Sequence, residues 1–500
     1  MQATPLPVSA AIEARTAGVP PAAELRETHT GIVVLIGNSA YKIKKPVVTD
    51  FLDFSTSDSR ERACAQEVAL NRRLAPDSYV GIAHFSDPRG GAAEPVIVMR
   101  RYPDSCRLAT MVRGGEDVEA SLLAIAELLA AFHSAADRGP AIDAQASVEA
   151  VAARWQANLS ELELFTDAVV PAESIVEIRR LASQFMDGRS ALFTQRITDR
   201  RIVDGHADLL ADDIFCLPDG PALLDCLEFD DHLRYVDGID DAAFLAMDLE
   251  FMGRKDLGDA FLGHYVRLSS DSAPQALTDF YIAYRSIVRA KVDCVRFAQG
   301  RHDSVADARR HIAVALEHLR AGTVRLILIG GGPGTGKTTL ARSLAEQQQA
   351  QLISTDDVRR QLVQSGAIAG STGALDAGLY TAENVAAVYD AVLRRAHLHL
   401  SSGRSVILDG TWRDPKQRLH AHQVANETSS PIIEFACTTA LVEATARIRG
   451  RRKTTSDATP EIATALAEQA GAWHGAIPLD TGRPLADSLT EARERSCLAI

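Results

Sequence analysis

The run Gly331-Gly332-Pro333-Gly334-Thr335-Gly336-Lys337-Thr338-Thr339 has the residue types and spacing that grip a triphosphate. Ahead of it, Arg325 to Gly330 is a short apolar run bounded by glycine, which predicts a buried strand. Behind it, Leu340, Ala341, Leu344 and Ala345 recur at helical spacing. Strand, glycine loop and helix together aim several backbone N–H groups at one point, where the helix dipole adds positive potential. Lys337 adds a full charge there, and Thr338 a hydroxyl for Mg²⁺. The pattern implies a nucleoside triphosphate ligand, with Mg²⁺ on the Thr338 hydroxyl.

Two acidic strand ends follow. Gln351 to Ser354 leads into Thr355-Asp356-Asp357-Val358-Arg359. In an open α/β sheet ligands gather at the C-terminal strand ends, so Asp356 is placed to deprotonate an acceptor hydroxyl and Arg359 to hold acceptor or phosphate. The competing reading is that Thr355 or Asp356 caps the next helix. Ser405 to Asp409 ends in a carboxylate suited to Mg²⁺, and Gly410 stands where hydrolytic motors carry a glutamate. That favours transfer to a bound acceptor over hydrolysis. Arg447-Ile-Arg449-Gly-Arg451-Arg452-Lys453 then supplies five cations in seven residues, suiting a lid over phosphates or a solvated helix end.

A second set of candidates lies far upstream. Lys42 and Lys44 alternate with Tyr41 and Ile43 on a predicted strand, so both face one side. Glu67 falls on the apolar stripe of a helix predicted from Arg60 to Leu74, and a buried carboxylate there needs a strand lysine as partner. Further on, Asp204-Gly-His206-Ala-Asp208 precedes Asp213, and Leu223-Leu-Asp225 ends a short apolar run. Asp208 reads as a proton acceptor, with Asp213 and Asp225 as Mg²⁺ ligands. Asp241 reads as a brace for that loop. Met99-Arg100-Arg101-Tyr102 follows an apolar strand and reads as an interlobe hinge facing adenine or as an ordinary strand end.

The elements that must carry these residues divide the chain. Five hundred residues exceed one core. Residues 1–30 are expected to be a loosely structured leader rather than a signal peptide, 31–102 a strand-rich lobe, 103–322 a mostly helical lobe, and 323–500 an alternating α/β domain with a parallel sheet. Ala321-Gly322-Thr323 marks the last boundary. From Thr323 onward there are 19 Lys+Arg against 18 Asp+Glu, leaving 34 against 48 before it, within a net charge of −13. The near-neutral end lacks the broad basic surface of a nucleic-acid enzyme. The acidic front suits a cationic small molecule such as an amino sugar, or simply the solubility that most acidic proteins owe to such a charge. Seven scattered cysteines without CxxC point to a reducing cytoplasm.

These motifs carry two resemblances. Residues 323–490 resemble small P-loop kinases, including gluconate-kinase-like enzymes and the kinase domain of polynucleotide 5′-kinases. The match rests on Gly331–Thr338, Thr355-Asp356-x-x-Arg359, Leu408-Asp409-Gly-Thr411, and Arg447 and Arg451 before Ser456-Asp457-Ala458. Residues 28–320 resemble aminoglycoside-phosphotransferase-like kinases, through Tyr41-Lys42-Ile-Lys44-Lys45-Pro46, Asn71–Pro76, the His206 loop and Tyr284-Arg285 to Lys291. In particular the chain looks like large actinobacterial proteins that fuse the two. That family usually reads His-Gly-Asp with asparagine as metal ligand; here Ala207 and Asp213 take those places.

The resemblance implies a protein-kinase-like α+β fold followed by an α/β P-loop kinase fold. It implies two ATP and Mg²⁺ sites, with transfer to a hydroxyl of a small molecule of the sugar or aminocyclitol class. The alternative keeps only the P-loop domain catalytic, with a polynucleotide 5′-hydroxyl as acceptor and a regulatory pseudokinase in front.

Overall fold

The computed structural model describes residues 23–27, 31–47, 53–86, 90, 93–371, 376–450, 459–468 and 473–498. The chain forms two compact units, one of residues up to Ser121 together with Ala211–Asp231, the other of Leu122–Leu210 and His232 onward.

In the first unit, apolar Gly31–Ile36 (β2) and Ser39–Lys44 (β3) form the expected hairpin, turning at Gly37 with φ 56°. Glu24–Glu27 (β1) pairs with β2 inside the segment expected to be a leader. Tyr79–Phe85 (β4) and Glu94–Arg100 (β5) complete an antiparallel sheet ordered β1-β2-β3-β5-β4. The helix Ser57–Asn71 (α1) starts at a Thr56/Ser59 capping box and buries Cys64, Glu67, Val68 and Leu70. Buried Arg60 on α1 pairs with Glu94 on β5 at 2.6 Å, tying helix to sheet. The hairpin of Ile214–Leu217 (β7) and Gly220–Leu223 (β8) belongs to this unit and brings Asp213 and Asp225 with it.

The second unit contains both the helical segment and the phosphate-loop domain. Its long helices include Gly238–Phe251, Gln275–Ala298 and Ser304–Ala321, and its core stacks Phe185 on Phe280 with ring centroids 4.4 Å apart. Ile202–Asp204 (β6) and Tyr235–Asp237 (β9) form a short antiparallel pair. Beyond residue 322 the alternation produces a five-stranded sheet. Leu326–Gly330 (β10), Gln351–Ser354 (β11), Val406–Asp409 (β12), Ile432–Thr438 (β13) and Ile477–Asp480 (β14) are ordered β11-β12-β10-β13-β14, all parallel. β10 is fully buried, as its unbroken apolar run requires.

The helical segment and the phosphate-loop domain meet at Gly188-Arg189. Arg189 is 1% exposed, and its guanidinium donates to the Thr428 carbonyl and, at 3.3 Å, to Ser430 Oγ. Burial pushes its pKa down to about 10. A Cβ on Gly188 would collide with Thr428 O, so only glycine allows the approach. Among the described residues no single helix is long and apolar enough to cross a membrane.

Three helices of this unit converge on His318. Its Nδ1 lies 2.8 Å from Asp279 and its Nε2 2.8 Å from Glu250, with Lys255 beside it. Burial alone would lower the imidazole pKa, but the two carboxylates outweigh it and push it up to about 9. A folded-state pKa above the unfolded one stabilises fully below the unfolded value and fades as pH rises to the folded value. Urea unfolding is expected to show up to ~3 kcal/mol less stability at about pH 9.5 than at about pH 6. His318→Gln should flatten that slope.

Candidate active sites

The phosphate loop folds as the glycines demand. Gly334 and Gly336 have φ 81° and 84°, the left-handed region that disfavours side chains. A Cβ on Gly334 would also strike the Ala444 carbonyl. Gly336 sits at the N-cap of the helix Lys337–Gln348, so the loop delivers its amides to a helix N-terminus. Thr335 Oγ1 donates to Gly332 O at 2.9 Å, and Lys337 Nζ lies 3.3 Å from the same carbonyl, folded back over the loop. Thr339 is exposed, while Pro333 and Gly334 are buried.

Asp409 ends β12 beside β10 and accepts a 2.8 Å hydrogen bond from Thr338 Oγ1. The residue is 3% exposed, and its Oδ1 is buried with no hydrogen-bond partner among the described residues. Burial raises its pKa, and Lys337 and Thr338 pull it back only in part. An orphaned buried carboxylate oxygen next to the Thr338 hydroxyl fits a Mg²⁺ ion or its water. Ser354 at the end of β11 lies in register with Asp409, so Asp356 emerges next to it. Ser354, not Thr355 or Asp356, occupies the N-cap of Thr355–Gln364, and no side chain caps it. Asp356 instead takes Arg359 Nη1 at 2.6 Å.

Arg359 is 9% exposed, stacks over Tyr380 at 4.6 Å, and keeps a buried Nε without a hydrogen-bond partner among the described residues. Arg447 is paired with Glu443, donates to Thr481 O at 2.9 Å, and stands beside Gly336. Arg451 and Ser456-Asp457-Ala458 lie outside the described residues. Thr481, which the sequence did not single out, donates from Oγ1 to the Thr335 carbonyl and, at 2.8 Å, to Thr438 O. It buttresses the loop from the end of β14. Tyr380 beneath Arg359 was likewise invisible, since stacking across loops leaves no spacing pattern.

The first unit holds a chain of alternating charges. Glu67, fully buried on α1, takes Lys42 on Oε1 at 2.8 Å and Lys44 on Oε2 at 2.5 Å. Lys42 also reaches Asp225 at 2.7 Å, and Lys44 reaches Glu228 at 2.6 Å. Burial works against the Lys42 charge, but Asp225 and Glu67 raise its pKa well above the ordinary lysine value. Lys42 is partly exposed, whereas Lys44 is enclosed, with Phe54 under its ammonium at 5.5 Å. Asp225 adopts φ 63°, and Asp213 is joined to its strand by a 3.0 Å bond from Leu224 N to Asp213 O. Asp213 and Asp225, expected from the sequence to serve Mg²⁺, flank the β7–β8 hairpin, and Lys42, expected to serve phosphate, pairs with Asp225. Met99, on β5, packs against the core that includes Cys64, Val68, Tyr79 and Ile97.

The second unit holds the Asp208 loop. Asp241, fully buried, accepts the N–H groups of His206 and Ala207 at 2.7 and 2.8 Å and contacts His133 at 3.0 Å. Burial would raise the Asp241 pKa, but His133, with His206 and Arg285, holds it below the usual carboxylate range. Ala207 adopts φ 66°, the backbone a glycine would take there, at a cost of roughly 1–2 kcal/mol. Arg285 answers that strain by donating to Ala207 O at 3.2 Å while gripping Asp240 with Nε and Nη2. His206 Nδ1 receives the Asp208 N–H at 3.3 Å, a loop-holding role.

Sheet order, phosphate loop and paired charges define the class: a kinase, with a protein-kinase-like α+β fold ahead of a P-loop kinase fold. The AAA domain family AAA_33 matches residues 326–473. Uncharacterized protein Rv2004c of Mycobacterium tuberculosis is 57% identical over 472 residues, covering 94% of this chain and 95% of that protein. Uncharacterized protein Mb2027c of Mycobacterium bovis matches equally, at 57% identity over 94% of this chain and 95% of its own. The chain belongs to the family of these mycobacterial proteins.

Among solved structures, a choline/ethanolamine kinase family protein from Mesorhizobium loti is 14% identical, with TM-score 0.37, over 62% of this chain and 96% of that one. A gluconokinase from Sinorhizobium meliloti is 16% identical, with TM-score 0.27, over 35% of this chain and 93% of its own.

Replacing Asp409 separates site from fold. Asp409→Asn removes a buried charge, so the unfolding midpoint without nucleotide should not fall. Calorimetry with ATP and Mg²⁺ should show affinity reduced at least ~10-fold.

Proposed function

We propose that the protein is an ATP- and Mg²⁺-dependent phosphotransferase with two nucleotide sites, acting in the cytoplasm on hydroxyls of small molecules of the sugar or aminocyclitol class. The observation that carries the reading is the pairing of a phosphate loop with Asp356–Arg359 one strand from Asp409. A hydrolytic motor needs a water-polarising carboxylate after Asp409, and Gly410 stands there. Seven free cysteines support a reducing compartment.

In the P-loop site the loop amides and Lys337 hold the β- and γ-phosphates. Bound Mg²⁺ neutralises charge developing on the phosphate oxygens. Thr338 and Asp409 are the residues that would hold it. Asp356, oriented by Arg359, accepts the proton of the acceptor hydroxyl. The freed oxygen attacks the γ-phosphorus as the bond to the β–γ bridging oxygen breaks, and ADP leaves. Arg447, already beside Gly336, is placed to meet charge on the transferred group. In the N-terminal kinase, Lys42 serves phosphate, Asp213 and Asp225 serve Mg²⁺, and Asp208 serves as base.

A second reading, with the N-terminal part regulatory and a polynucleotide 5′-hydroxyl as acceptor, draws on Ala207 and Asp213 standing where the family has glycine and asparagine. A metabolite screen with γ-labelled ATP separates the two. Asp356→Asn should lower transfer at the P-loop site by roughly 10²–10⁴-fold. Lys337→Ala should abolish that product and spare a second one, which Asp208→Ala removes. If Asp208→Ala leaves every labelled product unchanged, the regulatory reading stands.

A further inference from the structure

A kinase of this class needs one strand lysine and one helix glutamate, yet here Glu67 is gripped by two lysines. The second, Lys44, is 3% exposed and points away from any role on phosphate, because Glu67 and Glu228 enclose it. The five groups run Asp225, Lys42, Glu67, Lys44, Glu228, three carboxylates alternating with two ammonium groups.

The stretch from Asp225 to Glu228 has no regular structure, and its first residue is held in the left-handed region at φ 63°. Such a residue persists only where its surroundings over-determine it. Three anchors do so. Asp225 N donates to Tyr79 Oη on β4 at 3.3 Å. Cys226 N donates to Asn71 Oδ1 at the end of α1 at 2.9 Å. Glu228 takes Lys44 on β3. The first two are neutral hydrogen bonds, and the third is an ion pair largely removed from water, where attraction between charges is strongest. Asn71 also donates to the Glu67 carbonyl at 2.9 Å, so the anchor on α1 and the charge chain share one helical turn.

We infer that Lys44 and Glu228 are positioning residues for the N-terminal nucleotide site, holding the Asp225 carboxylate where Mg²⁺ is bound and keeping Glu67 partnered when Lys42 turns to phosphate. The inference rests on the two-site reading above. As Lys42 engages phosphate, Glu67 would otherwise be left as a buried charge with a weakened partner, a costly state. With Lys44 on its other oxygen, Glu67 stays neutralised and α1 stays docked. The N-terminal site is thus assembled before nucleotide arrives.

The test uses the full chain carrying Lys337→Ala, which leaves the N-terminal site as the one nucleotide site. Calorimetry with a non-hydrolysable ATP analogue is run across a Mg²⁺ series, with thermal unfolding alongside. Glu228→Gln is expected to raise the Mg²⁺ concentration for half-maximal analogue binding by about tenfold, in line with loss of an outer partner of a metal site. Lys44→Met should do the same, the double variant should be no worse than the stronger single one, and Lys44→Arg should retain the parent behaviour. A folded Glu228→Gln protein with an unchanged Mg²⁺ midpoint overturns the inference and leaves the two-site reading intact. So does an additive double variant, which would make Glu228 act independently of Lys44. No analogue binding by the Lys337→Ala parent at any Mg²⁺ concentration, with the fold retained, overturns the two-site reading and the inference with it.

Discussion

A carboxylate taken out of water must be met by cations or N–H groups, and this requirement organises both sites. Glu67 meets it with two lysines, Asp240 with Arg285, and Asp241 with two amides and His133. Asp409 meets it only in part, through Lys337, Thr338 and Ser354, and among the described residues its Oδ1 makes no hydrogen bond. Glu67, Asp240 and Asp241 tie down the helix and loop around them, whereas the free Asp409 oxygen is one that a bound cation would satisfy.

In the proposed two-site reading, phosphate would be recognised by different means in the two places. In the P-loop domain the backbone does most of the work, because left-handed glycines turn amides toward a helix N-terminus and leave no room for side chains. In the first unit, side chains on a strand and a helix supply the charge, so their ion pairs must be preassembled. The first arrangement depends on shape and the second on charge balance. A single substitution therefore acts in each through a different physical term.

The sequence made these features legible to different degrees. The phosphate loop and the strand Gln351–Ser354 appear where the pattern puts them, because a buried parallel strand bounded by turn residues has little freedom of register. Glu67 was legible as a buried charge in need of a lysine. That both lysines would take it was not, since alternation shows a shared face but not which ammonium is enclosed. β1 escaped notice because Glu-Leu-Arg-Glu is exposed throughout and carries no alternation. β14 escaped because Pro478 reads as a breaker, yet an edge strand tolerates proline. With β14 unseen, Thr481 had no element to stand on, and its bond to the phosphate loop joins residues far apart in the chain. The left-handed backbone of Ala207 has no signal in composition; it follows from Asp241 and Arg285 holding the peptide from both ends.

The contact at Gly188 and Arg189 bears on how such a chain can change over generations. Among the described residues no acid neutralises Arg189; carbonyl and hydroxyl oxygens of the partner domain are what make its burial tolerable. A recombination that carried off either portion alone would strand that guanidinium or bare the end of the helix Pro415–Glu427. Inheritance therefore favours passing on the helical segment and the phosphate-loop domain as one module, even where selection on their separate chemistries diverges.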